Sequence, residues 1–283
     1  MYVCGDHASL ADAAAACARE QVPLAVVAGG DGTLSMTLTA LFKAYGAQPL
    51  PSMVSLRAGT MNTVPNGLGL RGGAPERLLQ SLIRRLDGSA DMATIRCDTM
   101  DVGGRLGFLS GAGVVRGFLD AYYEAGNGQP NRWTAFTTLG RAAASAVTGG
   151  PMIQRIAKRL RATVTVDGIP IDRDDFLTLA AGTVPQIGLG FRPFYRTDQA
   201  SGGFHFLGIH GSARTFLSRL PRTRRGRPLG EDCAHEALAR EVLITPSEGT
   251  LEFMVDGDLA EQAGVLRISA GPSVTLVDPW RPL

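Results

Sequence analysis

A short apolar run that ends in a glycine-containing loop and then passes into a helical pattern occurs twice before Asp91. This unit commits the first part of the chain to an α/β layer with a parallel sheet. Leu24-Ala25-Val26-Val27-Ala28 reads as a buried strand ending in Gly29-Gly30-Asp31-Gly32-Thr33, and a helix is predicted from Leu34 to about Tyr45. In the second unit Met53-Val54-Ser55-Leu56 is the strand and Arg57-Ala58-Gly59-Thr60-Met61-Asn62 the loop, with a helix from about Pro75 to Leu86. Leu10 to Arg19 favours a further helix ahead of both.

After about Asp91 the texture changes to short β-type runs. Among them are Arg105 to Ser110, Ala162 to Val166, Phe176 to Ala181, Phe204 to Ile209, Glu241 to Ile244, Leu251 to Val255 and Val265 to Ile268. Their spacing and turn residues predict an antiparallel sandwich or barrel, interrupted by a mostly helical insert over roughly Gly117 to Leu160. The expected fold is therefore α/β plus all-β. Residues 1–97 are expected to form an α/β domain and residues 98–283 a β-rich domain, whose last segment can pack back on the first.

The 283 residues suffice for two cores without disulfides, and a formal net charge of +2 gives no general reason for a nucleic-acid partner. Cys4, Cys17, Cys97 and Cys233 are scattered, with no histidine at ligand spacing, so they read as free thiols of a reducing cytosol. The Ala-rich stretch Ala11 to Ala18 carries Asp12 and has no basic residues before it, unlike a secretory signal. No uncharged apolar run is long enough to span a bilayer, so any membrane contact is expected from the side.

Gly29-Gly30-Asp31-Gly32-Thr33 lies where ligands bind in open α/β sheets, beyond the carboxyl end of a strand and before a helix. Glycines admit phosphate oxygens close to the backbone, and the amides of a helix start favour anions. Asp31 can orient magnesium through water and Thr33 can offer its hydroxyl to phosphate. The plainer reading is a tight turn in which Asp31 only caps the helix. The spacing is not that of a Walker loop, and no lysine follows. Asp256-Gly257-Asp258, like Val166-Asp167-Gly168, reads most simply as a hairpin turn. Two basic clusters stand out: Arg155, Lys158, Arg159 and Arg161, and then Arg219, Arg222, Arg224, Arg225 and Arg227 around Pro221. The second, with Leu217, Leu220 and Leu229 interleaved, suits either docking on an anionic leaflet or a solvated loop. Phe118, Tyr122, Tyr123, Trp133 and Phe136 suit an acyl groove or ordinary core.

Val26 to Leu34 resembles the GGDGT signature of the diacylglycerol kinase catalytic domain, shared with sphingosine, ceramide and bacterial lipid kinases. Related loops occur in NAD kinases and phosphofructokinases. Leu56 to Asn62 followed by Leu68-Gly69-Leu70 resembles the lipid-kinase loop P-x-G-T-x-N-D before a leucine-glycine pair. Phe108 to Gly113, Phe204 to Leu207 and Val255 to Asp258 resemble three further family segments, in the family's order.

What the resemblance implies is a lipid kinase that transfers the γ-phosphate of ATP, with Mg2+, to a hydroxyl of diacylglycerol, ceramide or a sphingoid base. Gly29, Gly30, Asp31, Gly32, Thr33, Thr60 and Asn62 would bind the nucleotide, and Asp31 and Asp91 the metal. Asp31, Asp256 and Asp258 would be catalytic, with Asp258 the base. Arg222, Arg224, Arg225 and Arg227 would bind the membrane surface of a cytoplasmic, peripherally associated enzyme able to form a homodimer. Two other readings are a catalytically weak lipid-binding or regulatory module of the same fold and a soluble-substrate kinase of the NAD kinase type. The sequence departs from the family at Met36, where a glutamate is common, at Thr63, usually aspartate, at Gly202-Gly203, usually Asp-Gly, and at Asp258, usually glutamate. The family's opening strand has no counterpart, and Tyr2-Val3-Cys4 resembles its second strand. Either that start lies outside this chain or the nucleotide site is built without that wall.

Overall fold

The computed structural model describes residues 2–88, 91–117, 158–188 and 190–281, which form a mixed α/β fold with three sheets and few helices. Most of the helical insert, and with it Arg155 and the five aromatic residues named above, lies outside the described residues.

The first layer holds α1 (His7–Arg19), β1 (Leu24–Val27), α2 (Asp31–Tyr45), β2 (Ser52–Ser55), α3 (Thr63–Gly67), α4 (Pro75–Asp87) and β3 (Ala93–Cys97). The first of these helices starts on a capping box, in which the Ser9 amide donates to Asp6 Oδ1 (2.8 Å) and the Asp6 amide to Ser9 Oγ (3.3 Å). It turns small buried residues, Ala13, Ala14, Ala16 and Ala18, inward, which lets it lie close to α2. In turn α2 buries Leu34, Leu38, Leu41 and Tyr45, one stripe at helical spacing. The Tyr45 hydroxyl donates toward the carbonyls of Cys17 and Val22, fastening the end of α2 to the turn after α1.

β1 and β2 are parallel, with Leu24 opposite Ser52 and Val27 opposite Ser55, so both glycine-containing loops leave the same edge. The sheet is completed from the far end of the chain. Its order is β1-β2-β17-β3, with β17 (Val274–Asp278) parallel to β2 and antiparallel to β3. Val274 and Leu276 enter the core beneath α2, while Val277, on the other face, meets Leu78 and Leu82 of α4.

Two antiparallel sheets follow. One runs β12 (Ala234–Ala239), β11 (Phe204–Ile209), β10 (Thr178–Gly182), β6 (Leu109–Gly113), β14 (Thr250–Val255), β15 (Asp258–Ala263). The other runs β5 (Arg105–Gly107), β4 (Met100–Val102), β16 (Leu266–Ala270), β13 (Glu241–Pro246), β7 (Leu160–Val166), β8 (Ile169–Pro170), with β9 (Asp175–Phe176) also on β7. One cluster draws on both sheets, with Val164, Val242 and Ile268 from one and Phe204, Phe206 and Phe253 from the other. The predicted run Arg105 to Ser110 breaks at Phe108, where the chain leaves one sheet for the other. A further helix, α5 (Ala213–Arg224), is capped by Ser212 and holds the first part of the basic cluster. No described helix is long and apolar enough to cross a membrane.

Candidate active site

Asp31 is the first residue of α2, three residues ahead of the start predicted at Leu34. Gly30 is the extended N-cap, so Gly32 and Thr33 lie in the first helical turn, not in a loop. Two glycines are weak helix formers; tertiary contacts decide the matter. Thr33 folds back over Gly29, whose Cβ, if present, would meet the Thr33 Cβ at 2.4 Å. The amides of Asp31, Gly32 and Thr33 are among those that a helix leaves without intrahelical acceptors, and the helix dipole adds partial positive charge there.

The second loop is pressed against the first. A Cβ on Gly59 would lie 2.3 Å from the Gly30 Cα, so two backbones touch where any side chain would intrude. Two non-glycine residues, Arg57 (φ 57°) and Asn62 (φ 47°), hold left-handed backbone at the ends of this loop. Each is fastened: the Arg57 guanidinium donates to the Leu70 carbonyl and to Asn66, and Asn62 Nδ2 donates to the carbonyls of Arg57 and Gly59. Asn62 Oδ1 is buried and accepts no hydrogen bond. Thr60, between them, is exposed. Gly59→Ala is expected to lower thermal stability by about 1–3 kcal/mol, the usual cost of overpacking, which parallel melting of parent and variant would check.

Asp31 also joins the loops. Its carboxylate accepts from the amides of Thr63 (2.6 Å, Oδ2) and Val64 (3.0 Å, Oδ1), capping α3, for which the left-handed Asn62 provides no side-chain cap. Burial raises the Asp31 pKa, opposed by those two amides and by the charge of Arg57.

Across from this helix start stands the hairpin of β14 and β15. Asp256 (φ 48°) and Gly257 (φ 92°) are its two central residues, both in positive-φ conformation, as a tight two-residue hairpin requires. The expected turn is therefore present, and it carries two unlike carboxylates. Asp256 is buried and accepts from the amides of Phe108 (2.9 Å) and Leu109 (3.0 Å). Its pKa is driven well above the ordinary value by burial and further by the nearby charge of Asp31. Asp258 is half-buried, and a Cβ on Gly32 would lie 2.8 Å from its Oδ1, so its carboxylate rests on the first turn of α2. Burial raises its pKa too, opposed by Arg105 and then His7. Among the described residues it has no hydrogen-bond partner, whereas both oxygens of Asp31 and Asp256 are taken by backbone amides.

The structure thus gathers Gly29 to Thr33, Gly59, Asn62, Asp256 and Asp258. It does not bring Asp91 to them. Asp91 is exposed just before β3, at the opposite edge of the sheet from β1, which is three strand spacings or about 14 Å away. Among the described residues no group of three or more His, Cys, Asp or Glu side chains could hold a metal ion unaided.

The arginines sit on α5 and just beyond it. Arg224, Arg225 and Arg227 are exposed, Arg222 is partly buried, and Arg219 pairs with Asp232 (2.6 Å). Leu229, one of the leucines interleaved with the basic cluster, is core instead of surface, 2% exposed. The segment between β10 and β11 touches both places: a Cβ on Gly188 would meet Met61 Cε at 2.7 Å, and the Arg192 amide donates to the Thr223 carbonyl (2.9 Å). The arginine-bearing helix end therefore lies beside the rim of the second loop.

Some site residues went unread in the sequence. Ser35 and Thr39 donate their hydroxyls to the Leu106 carbonyl, tying α2 to β5 (2.6 Å and 3.3 Å). With Asp31 they form a polar line at spacing four along α2, and that spacing was a usable signal. Gly107 and Arg105 had no local signal.

Residues 2–95 match the family model of the diacylglycerol kinase catalytic domain. The fold is similar to that of a protein from Bacillus anthracis str. Sterne provisionally described as a diacylglycerol kinase, at 15% identity and TM-score 0.68, over 97% of this chain and 84% of that one. A second structure, of a diacylglycerol kinase from the same organism, matches at 14% identity and TM-score 0.61, over 97% and 83%. At these identities the likeness is one of fold. No curated protein matches the sequence.

Proposed function

From the match of residues 2–95 to the family model of the diacylglycerol kinase catalytic domain, we propose that the protein is a lipid kinase that moves the γ-phosphate of ATP onto a lipid hydroxyl. The observation that carries this reading is the contrast among the three carboxylates. Asp258 alone receives no hydrogen bond from the described residues, and it faces the open amides at the start of α2 across Gly32.

Phosphoryl transfer needs positioning, charge neutralisation and one group that orients the nucleophile. The amides of Asp31, Gly32 and Thr33 and the glycine contact of the two loops form a cradle suited to phosphate oxygens. The unpartnered Asn62 Oδ1 is an acceptor suited to a nucleotide donor group. Magnesium, which usually keeps several waters and takes one or two carboxylates beside phosphates, would neutralise charge on the transferred group. The lone pairs that Asp31 does not give to amides fit that role, and Asp91 stands too far away to share it. Asp258 would accept the proton of the attacking hydroxyl. Arg224, Arg225 and Arg227 would hold an anionic leaflet against the same rim, so that a lipid headgroup reaches the cradle without leaving the membrane.

The direct test is transfer from labelled ATP to diacylglycerol, ceramide and a sphingoid base in vesicles, with NAD as a control acceptor. Label in lipid supports the reading. Label in NAD replaces it with a soluble-substrate kinase, and lipid binding without transfer replaces it with a regulatory module.

Replacing Arg224, Arg225 and Arg227 together by glutamine is expected to weaken binding to anionic vesicles roughly 100-fold, at about 1 kcal/mol per charge. Turnover of a short-chain, dispersed acceptor should change little. Arg222 is best left in place because its Nε is buried. Equal loss on both substrate forms would move these arginines from membrane docking to the fold or the site.

A further inference from the structure

The two aspartates of the hairpin turn, alike in sequence, have opposite surroundings, and those of Asp256 point away from chemistry. Its carboxylate is buried, and each oxygen accepts one amide hydrogen, Oδ2 from Phe108 and Oδ1 from Leu109. Those amides belong to the corner at which the chain passes from β5, in one antiparallel sheet, to β6, in the other. The Asp256 amide in turn donates to the Leu109 carbonyl (2.9 Å), so corner and hairpin are bonded in both directions. Gly107 is what allows this approach, because a Cβ there would stand 2.7 Å from Asp256 Oδ2 and 2.4 Å from Val255 Cγ1. One residue earlier, the Leu106 carbonyl accepts the Ser35 hydroxyl, and the Leu106 amide donates to Thr39 Oγ1 (2.9 Å). A continuous set of bonds therefore runs from Asp256 through the corner to α2, whose first turn lies under Asp258.

We propose that Asp256 is a positioning residue: its buried carboxylate locks the hairpin to the sheet corner, and through β5 to α2, so that Asp258 is held over Gly32. It touches neither phosphate nor acceptor. This rests on the reading of Asp258 as the proton acceptor, but the bonded path itself does not.

A double-mutant cycle and amide exchange test it together. Asp256→Asn puts an NH2 group where one backbone amide needs an acceptor. It is expected to lower kcat by about 10- to 100-fold while KM for ATP stays within about threefold. In an Asp258→Asn background the same change should add less than about threefold, because a residue that acts only through Asp258 has nothing left to position. A full, multiplicative loss in that background overturns the proposal and gives Asp256 a role of its own in the reaction. Hydrogen exchange needs no lipid. In Asp256→Asn, the amides of Phe108 and Leu109 and the hydrogen-bonded amides of α2 from Leu34 to Thr39 should exchange at least about tenfold faster, with β12 and β13 unchanged. Unchanged exchange at the corner, or faster exchange there that stops short of α2, also overturns the proposal. If the parent phosphorylates no lipid, the kinase reading fails while the exchange result still decides the path. Should Asp256→Asn fold too poorly to measure, Ser35→Ala combined with Thr39→Val, which together cut the path at its other end and leave the corner amides bonded, is expected to reproduce the kcat loss with KM for ATP unchanged. Parent kcat in that variant overturns the proposal.

Discussion

Asp31→Asn is expected to lower phosphoryl transfer by about 10²- to 10³-fold, the usual range for removing one electrostatic stabiliser of a transition state. Its neighbours make this more than the loss of a metal-directed charge on a mobile loop. The carboxylate also caps α3 through Thr63 and Val64, and an asparagine would set its NH2 against one of those amides. A stability loss of about 1–3 kcal/mol should accompany the loss of activity. The pH dependence supplies an independent mark. Asp31 and Asp256 have folded-state pKa values raised by burial, so between the ordinary carboxylate value and the raised one the folded chain binds more protons than the unfolded chain. Stability in that window falls as pH rises. Melting measured from neutral pH downward should therefore show a gain in the parent and a smaller one in Asp31→Asn. Transfer within about threefold of the parent, at saturating magnesium, would remove Asp31 from the metal site.

The second large effect belongs to Asp258. Asp258→Asn is expected to reduce kcat by about 10²- to 10⁴-fold, the range for a general base, with little change in KM for ATP or in melting temperature. The side chain is half-exposed and bonds to no described residue, so the fold has little to lose. A base works deprotonated, and burial raises this pKa, so the acidic limb of kcat should sit above that of an ordinary aspartate. Arg105 favours the charged form, and Arg105→Gln should shift that limb to still higher pH. A limb that stays in place in Arg105→Gln and persists in Asp258→Asn would assign it to another group. Asp258→Glu should keep substantial activity if its extra methylene can clear Gly32.

Much of the fold was legible because local pattern and packing agree. The stripe of Leu34, Leu38 and Leu41 gave α2, and Phe204 to Ile209 is β11 to the residue. The start of α2 was misplaced because the bonds that order Asp31 and Gly32 come from residues 63 and 64. Ala234–Ala239, rich in alanine with glutamate and leucine, carries no strand pattern, yet it pairs with β11 along its whole length. The basic cluster around Pro221 offered no helical stripe, and its first part proved to be the end of α5. At the site, the glycine loops and the hairpin could be found from residue order. The division of labour between Asp256 and Asp258 could not, since it depends on which of them meets the amides of Phe108 and Leu109.

The placement of β17 has a consequence for how the molecule comes into being. As the chain leaves the ribosome, β1, β2 and β3 emerge early, but β3 has β17 as its ladder partner, and β17 is made almost last. The layer beneath the glycine loops therefore stays open until synthesis is nearly finished, and the cradle they form is not complete on a nascent chain. The same geometry means that residues 2–95 expressed alone lack the strand that separates β2 from β3. Shortening the chain ahead of Val274 removes the middle of the first sheet, not its fringe.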